Sequence, residues 1–125
     1  MAIISFDKDA LVDFVPEYGK NRGSENPCVV RLRFVPFKRI QHYRQLMDAR
    51  NKGVLDPGKI TENSQTVQRQ QFIESVDLVS GYFVGDREVG DPGEFYDTAD
   101  ADLVVEILLA MISNEKLSEG QRKNS

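Results

Sequence analysis

Residues 100–113, DADLVVEILLAMIS, are the stretch that decides the fold. Between positions 101 and 112 only Asp102 and Glu106 are polar, and a spacing of four places both on one face of a helix. Because the remaining faces are apolar, this helix must be buried in a core or covered by a partner. At about 1.5 Å per residue it spans roughly 20 Å, which is too short to cross a bilayer core of about 30 Å.

Two segments nearer the N-terminus predict an antiparallel β-hairpin. Residues 28–35 alternate between an apolar series and a series that contains Arg31 and Arg33, which is typical of a strand with one buried face. Residues 10–15 supply the neighbouring strand, which Pro16 either ends or places at the edge of the sheet. Arg31 and Arg33 then point together to the other face of the sheet, where contact with solvent is the favoured interpretation.

Helices account for most of the remaining chain. Apolar residues at three- and four-residue spacing predict an amphipathic helix over 37–51. A second helix is predicted from about residue 61 to residue 80, with Gly81 as its C-terminal cap. Turn-rich sequence separates it from the apolar C-terminal helix, for which Asp97 or Thr98 is the expected N-cap.

These elements predict an α+β fold, with a small antiparallel β-hairpin or meander near the N-terminus packed with about three α-helices. A chain of 125 residues is large enough to bury a core without disulfides or metals. We expect a single domain over residues 1–115 and a flexible C-terminal tail over residues 116–125.

Charge is unevenly distributed along the chain. The net charge is −4, but residues 1–60 carry eleven Lys or Arg against seven Asp or Glu, and residues 61–125 carry five against thirteen. The favoured interpretation is that the two parts complement each other within the fold or between protomers. The alternative is a nucleic-acid-associated regulatory protein, although the acidic net charge repels a phosphate backbone at long range. Its contact residues are Arg31, Arg33, Lys38, Arg39 and Arg44 in the basic strand and helix over 31–44.

No combination of residues predicts catalysis, a cofactor or a metal ion. Cys28, the only cysteine, has no cation beside it and is interpreted as a small core residue. His42, the only histidine, has no partner at metal-ligand spacing. The acids between residues 86 and 102 are interpreted as an exposed loop that leads to a helix N-terminus. We therefore expect a non-enzymatic protein, and the absence of a basic segment before the apolar N-terminal residues predicts a cytoplasmic location.

The order of segments resembles that of the small tail assembly chaperones of long-tailed phages and prophages. In that family a hydrophobic helix commonly precedes a stretch of the form V-x-G-aromatic-x-hydrophobic, an acidic glycine turn and a final apolar helix. Here these parts are residues 72–79, VSGYFV at residues 79–84, residues 86–92 and residues 100–112. Tyr82 stands where Trp is frequent in the family.

The resemblance implies a non-virion protein of the host cytoplasm that binds the long helical tape-measure protein and the tail-tube protein until assembly. A tape-measure helix exposes apolar stripes, which a small protein can cover with apolar helices of its own. We expect the helices over 37–51 and 100–113 to supply both core residues and a face for a partner or for self-association. The candidate partner-binding residues are Phe37, Ile40, Tyr43, Val104, Leu108 and Ile112.

Overall fold

The computed structural model describes residues 2, 10–33 and 35–112, and for residue 112 it describes only the backbone. The predicted tail over 116–125 lies outside the described residues. The described elements, in chain order, are β1 (Leu11–Phe14), a 3-10 segment (Tyr18–Gly23), β2 (Val29–Arg33), α1 (Phe37–Asn51), α2 (Pro57–Ser75), β3 (Val76–Ser80), β4 (Phe83–Val84), β5 (Arg87–Glu88), α3 (Pro92–Thr98) and α4 (Ala101–Ile112). The predicted α+β class, with a small antiparallel sheet near the N-terminus, is confirmed.

The main sheet has three antiparallel strands in the order β1-β2-β3, with β2 in the centre. Val30 and Leu32 of β2 are fully buried, and Arg31 and Arg33 point to the exposed face, as the alternation predicted. Arg31 Nε contacts Asp13 Oδ1 of β1 at 3.0 Å, and Arg33 Nη2 contacts Asp77 Oδ1 of β3 at 2.6 Å. Two ion pairs therefore join neighbouring strands on the outer face of this sheet.

The predicted helix over 61–80 is wrong in both of its boundaries. Helix α2 begins at Pro57 and ends at Ser75, and the chain then continues directly into strand β3. A β-bulge shifts the register between β2 and β3, so that Val76 and Val79 are both buried although they lie three residues apart. Two apolar residues three positions apart also fit the period of a helix. The bulge is therefore the physical reason why residues 76–80 were predicted as helix and form a strand.

The segment between β5 and α4 also differs from the prediction. Pro92–Thr98 form helix α3, whose N-cap is Asp91, with Asp91 Oδ2 accepting a hydrogen bond from Glu94 N at 3.0 Å. Asp97 and Thr98 therefore end a helix and do not cap α4. At the start of α4, Asp100 Oδ1 accepts a hydrogen bond from Asp102 N at 2.9 Å. Helix α3 has seven residues, which are too few to show a hydrophobic period in the sequence. Its first residue is Pro92, and proline is favoured at the first position of a helix.

A single hydrophobic core joins the sheet, the C-terminal half of α2, α3 and α4. The rings of Phe72 and Phe95 stack inside it with centroids 5.8 Å apart. Helix α4 contributes one face, whose buried residues are Leu103, Val104, Ile107, Ala110 and Met111. Within the described part of the chain, no helix has the length and apolar content needed to span a membrane.

Candidate binding surface

Helices α1 and α2 pack against each other as a helical hairpin, and the loop over 52–56 connects them. Asn63 of α2 is buried, and its side-chain Nδ2 donates to Arg50 O at 3.2 Å and to Asn51 Oδ1 at 2.9 Å. The carbonyl of Arg50 lies in the last turn of α1, where carbonyls have no partner within the helix. The Asn63 amide provides the missing donor. Asp56 caps α2 by accepting a hydrogen bond from Gly58 N at 3.2 Å. These contacts fix the end of the hairpin near the loop.

A polar triad fixes the other end of the hairpin. The Tyr43 hydroxyl donates a hydrogen bond to Glu74, while Arg39 Nη2 donates to Glu74 Oε2 at 3.1 Å and Arg39 Nε to the Tyr43 hydroxyl at 3.3 Å. Burial acts to raise the pKa of Glu74, but hydrogen bonds from Tyr43, Gln70 and Arg39 outweigh it and lower this pKa. Burial and the bond to Glu74 raise the pKa of Tyr43. The triad therefore holds an ionised Glu74 against a neutral Tyr43.

Helix α1 lies outside the main hydrophobic core. Of its side chains, all of which the structure describes, Tyr43 alone is buried, and none belongs to the core cluster. Ile40 and Met47 are half-buried against α2, and Phe37 is 65% exposed. Because these residues recur at helical spacing, α1 presents an apolar row beside α2 that the core does not use.

The row borders a groove of about 440 Å³ between the two helices. Its apolar lining comes from Ile40, Met47 and Ile60, with Tyr43 and Val67 buried beneath. Its other lining residues are neutral and polar except for one cation, and none of the described lining residues is acidic. These residues are Thr61, Ser64, Gln65, Gln68, Gln71 and the cation Arg44. We call this feature the α1–α2 groove.

The structure describes the side chains of five of the six candidate partner-binding residues, and these fall into two groups. Phe37 and Ile40 belong to the apolar row of α1, and Tyr43 is buried beneath it. On α4, Val104 is buried and Leu108 packs against the core, so both of these residues stabilise the fold. The side chain of Ile112 lies outside the described residues.

Sequence reasoning missed the α2 wall of the groove. Ile60, Ser64 and Gln68 lie on one face of α2 at four-residue spacing and line the groove. The signal was the sequence Asp56-Pro57-Gly58, an N-cap followed by Pro at the first helical position. The helix predicted from about residue 61 begins after this signal and therefore leaves Ile60 out.

Most of the residues proposed for nucleic-acid contact are matched by carboxylates. Arg31 pairs with Asp13 at 3.0 Å, Arg33 with Asp77 at 2.6 Å and Arg39 with Glu74 at 3.1 Å. Lys38 and Arg44 are exposed and form no ion pair with any residue that the structure describes. The pairing reduces the positive potential available to a phosphate backbone.

The V-x-G-aromatic stretch has a structural explanation. Gly81 follows β3 with a φ of +73°, and a Cβ at this position would lie 2.7 Å from the carbonyl oxygen of Pro27. Only glycine fits both the backbone conformation and the close approach. The next residue, Tyr82, packs edge-on against Phe95 with ring centroids 4.5 Å apart. The motif therefore secures the end of β3 against β2 and the core.

The described residues offer no centre for metal binding, since no three His, Cys, Asp or Glu side chains among them are grouped to hold an ion. Cys28 is half-buried against the core, and burial raises the pKa of its thiol to about 11. A thiol with this pKa is protonated at neutral pH and is a poor nucleophile. Comparison of the chain with protein-family models, curated proteins and solved structures finds no match.

Proposed function

We propose that the protein is a tail assembly chaperone of a long-tailed phage or prophage. In this role it binds the tape-measure protein and the tail-tube protein non-covalently before the tail assembles. The α1–α2 groove is the observation that carries the proposal, because it is an apolar surface that the core leaves uncovered. We assign this groove to a helix of the tape-measure protein.

The chemistry of the groove suits an amphipathic helix. Ile40 and Met47 lie seven residues apart, or about 10 Å along α1, which is the length of two helical turns. A partner helix can place apolar side chains at positions i, i+3 or i+4, and i+7 along this row. The amides of Gln65 and Gln68 border the row and can accept or donate hydrogen bonds to polar side chains at its edge.

The modest size of the apolar row agrees with a chaperone that must release its client. A long tape-measure helix offers many equivalent apolar stripes, so that many copies of a small protein can cover it together. Each contact is then weak and reversible, while the combined coverage is stable until assembly displaces it. The nucleic-acid alternative is not proposed, because three of its five cations are paired with carboxylates.

Co-expression with the tape-measure protein encoded in the same tail gene cluster tests the proposal. The wild-type chain is expected to co-purify with the tape-measure protein, and Met47→Glu is expected to weaken this binding about tenfold or more, since it places a charge in an apolar contact. Leu55→Glu is the matched control, because Leu55 is 91% exposed and outside the groove. Equal binding by both variants, or no binding by the wild type, would contradict the proposal.

A further inference from the structure

Helix α4 carries a second apolar surface that the fold leaves exposed. Val105 is 51% exposed and Leu109 is 60% exposed, whereas Leu103 and Ile107 on the opposite side are buried in the core. Asp102, which is also exposed, precedes Val105 by three residues and Leu109 by seven. At these spacings the three side chains form one outward stripe, which we call the α4 stripe.

The α4 stripe and the α1–α2 groove have opposite electrostatic surroundings. Helix α1 contains four Lys or Arg, of which Arg39 is paired with Glu74, and one Asp. Residues 91–106 contain no Lys or Arg and six Asp or Glu, of which Glu94 and Asp97 are paired with Arg87 and Arg69. Asp102 on the stripe and Arg44 in the groove form no ion pair with any described residue. Each surface therefore combines exposed apolar side chains with a charge that the other surface can match.

The lengths of the two surfaces also agree. Asp102 and Leu109 lie seven residues apart on α4, as do Ile40 and Met47 on α1, and each separation is about 10 Å along its helix. The groove has two helices as walls and neutral polar residues along α2, so it accepts one helix face without burying an opposing acid. A helix that enters such a groove uses anchors at i, i+3 or i+4, and i+7.

We infer that the α4 stripe of one copy of this chain docks in the α1–α2 groove of a second copy. Val105 and Leu109 lie against the apolar row of the neighbouring α1, and Asp102 faces its basic residues. Because the two surfaces differ, the contact is head-to-tail, and an open assembly keeps one free groove at one end and one free stripe at the other. The same groove serves the proposed function, so a tape-measure helix must displace the neighbouring α4 stripe to bind. Self-association is measured on the chain alone, which keeps a failure of this inference distinguishable from a failure of the proposed function.

The oligomeric state of the purified full chain, measured by light scattering or sedimentation, tests the inference. The mass of the wild-type protein is expected to rise above the monomer mass of 14.2 kDa as its concentration increases, and to fall again as salt screens the charges. Met47→Glu and Leu109→Glu are each expected to remain monomeric, because each variant loses one of the two surfaces. Arg44→Glu, at an exposed position, provides a second groove variant.

Mixing the two variants separates this arrangement from a symmetric dimer. Met47→Glu retains its α4 stripe and Leu109→Glu retains its groove, so an equimolar mixture is expected to form a dimer and nothing larger. Leu55→Glu, which introduces the same charge outside both surfaces, is expected to associate like the wild type. A wild-type monomer up to its solubility limit, a mixture that stays monomeric, or equal loss of association in Leu55→Glu would overturn the inference. Circular dichroism of each variant confirms that its helices are folded.

Discussion

Glu106 of α4 holds the N-terminal end of the 3-10 segment at Glu17: Glu106 Oε2 accepts a hydrogen bond from the Glu17 backbone amide at 2.7 Å. Glu106 Oε1 accepts another from the amide of Tyr18 at 3.1 Å. The two acids of α4 therefore have different roles, since Glu106 makes an internal contact and Asp102 faces outward. A carboxylate at the start of a helical segment satisfies amides that have no partner within that segment.

Replacing Glu106 should destabilise the domain. Glu106→Ala removes both acceptors, and we expect it to lower the free energy of unfolding by about 1–2 kcal/mol because the contact is partly exposed. Glu106→Gln keeps one acceptor oxygen, so its free energy of unfolding should fall by less than that of Glu106→Ala. Urea unfolding followed by circular dichroism measures both changes. Wild-type stability in Glu106→Ala would show that the contact contributes nothing to the fold.

Gly81 should tolerate no side chain. Gly81→Ala combines a φ of +73° with a Cβ 2.7 Å from Pro27 O, and we expect a loss of roughly 2 kcal/mol or more in the free energy of unfolding. Gly85 is the matched control, because its φ is +62° and no atom lies within 4 Å of its added Cβ. Gly85→Ala should lower the free energy of unfolding by only about 1 kcal/mol, which is the cost of placing a residue with a Cβ in the left-handed backbone conformation. Equal losses in thermal or urea unfolding would rule out the predicted clash.

The Tyr43–Glu74 contact should make stability depend on pH in the acid range. The pKa of Glu74 in the folded protein lies below its ordinary value of 4.5, so the folded state binds this proton less readily than the unfolded state. The stabilisation is therefore complete above pH 4.5 and is lost as the pH falls through the lowered pKa.

Comparison with a variant isolates this contribution from those of other carboxylates. Tyr43→Phe removes a hydrogen bond that lowers the pKa of Glu74, so we expect the difference in stability between wild type and variant to shrink below pH 4.5. Urea midpoints at neutral and acidic pH measure this difference. A difference that stays constant with pH would show that Tyr43 does not influence the ionisation of Glu74.

Asn63 should be required for the geometry of the hairpin. Asn63→Ala leaves Arg50 O without its side-chain donor, and we expect a loss of about 1–3 kcal/mol because the position is buried. Thr66→Ala serves as the control, since the exposed Thr66 hydroxyl bonds only to Glu62 O of its own helix. Differential scanning calorimetry should show a lower melting temperature for Asn63→Ala alone. Similar melting temperatures for the two variants would contradict the capping role.

The parts of the fold that follow one clear period could be predicted from the sequence. Strand β2 alternates without interruption, and the spacing of Phe37, Ile40 and Tyr43 placed α1 over the observed Phe37–Asn51. Strand β3 could not be predicted, because the bulge opposite Arg31 and Leu32 replaces its alternation with a spacing of three. Local sequence contains no information on such a bulge, which arises from pairing with β2.

The α1–α2 groove was predictable only on its α1 side. Ile60 and Gln68 complete the groove through the packing of α2 on α1, which the sequence pattern of a single helix does not specify. On α4 the difficulty was the opposite, because nearly every face is apolar. Val104 is 9% exposed and Val105 is 51% exposed, and the position of the sheet and α3, not the residue type, decides which of these neighbours is buried.

Nuclear magnetic resonance of the labelled chain during titration with a tape-measure helix tests the central claim most directly, because it locates the contact as well as detecting it. We expect the largest amide shift changes at Ile40, Met47 and Ile60 in the α1–α2 groove, with little change at Leu11 and Leu78 on the outer sheet face. Binding that shifts the sheet residues and leaves the groove unchanged, or no shift at any residue, would contradict the account.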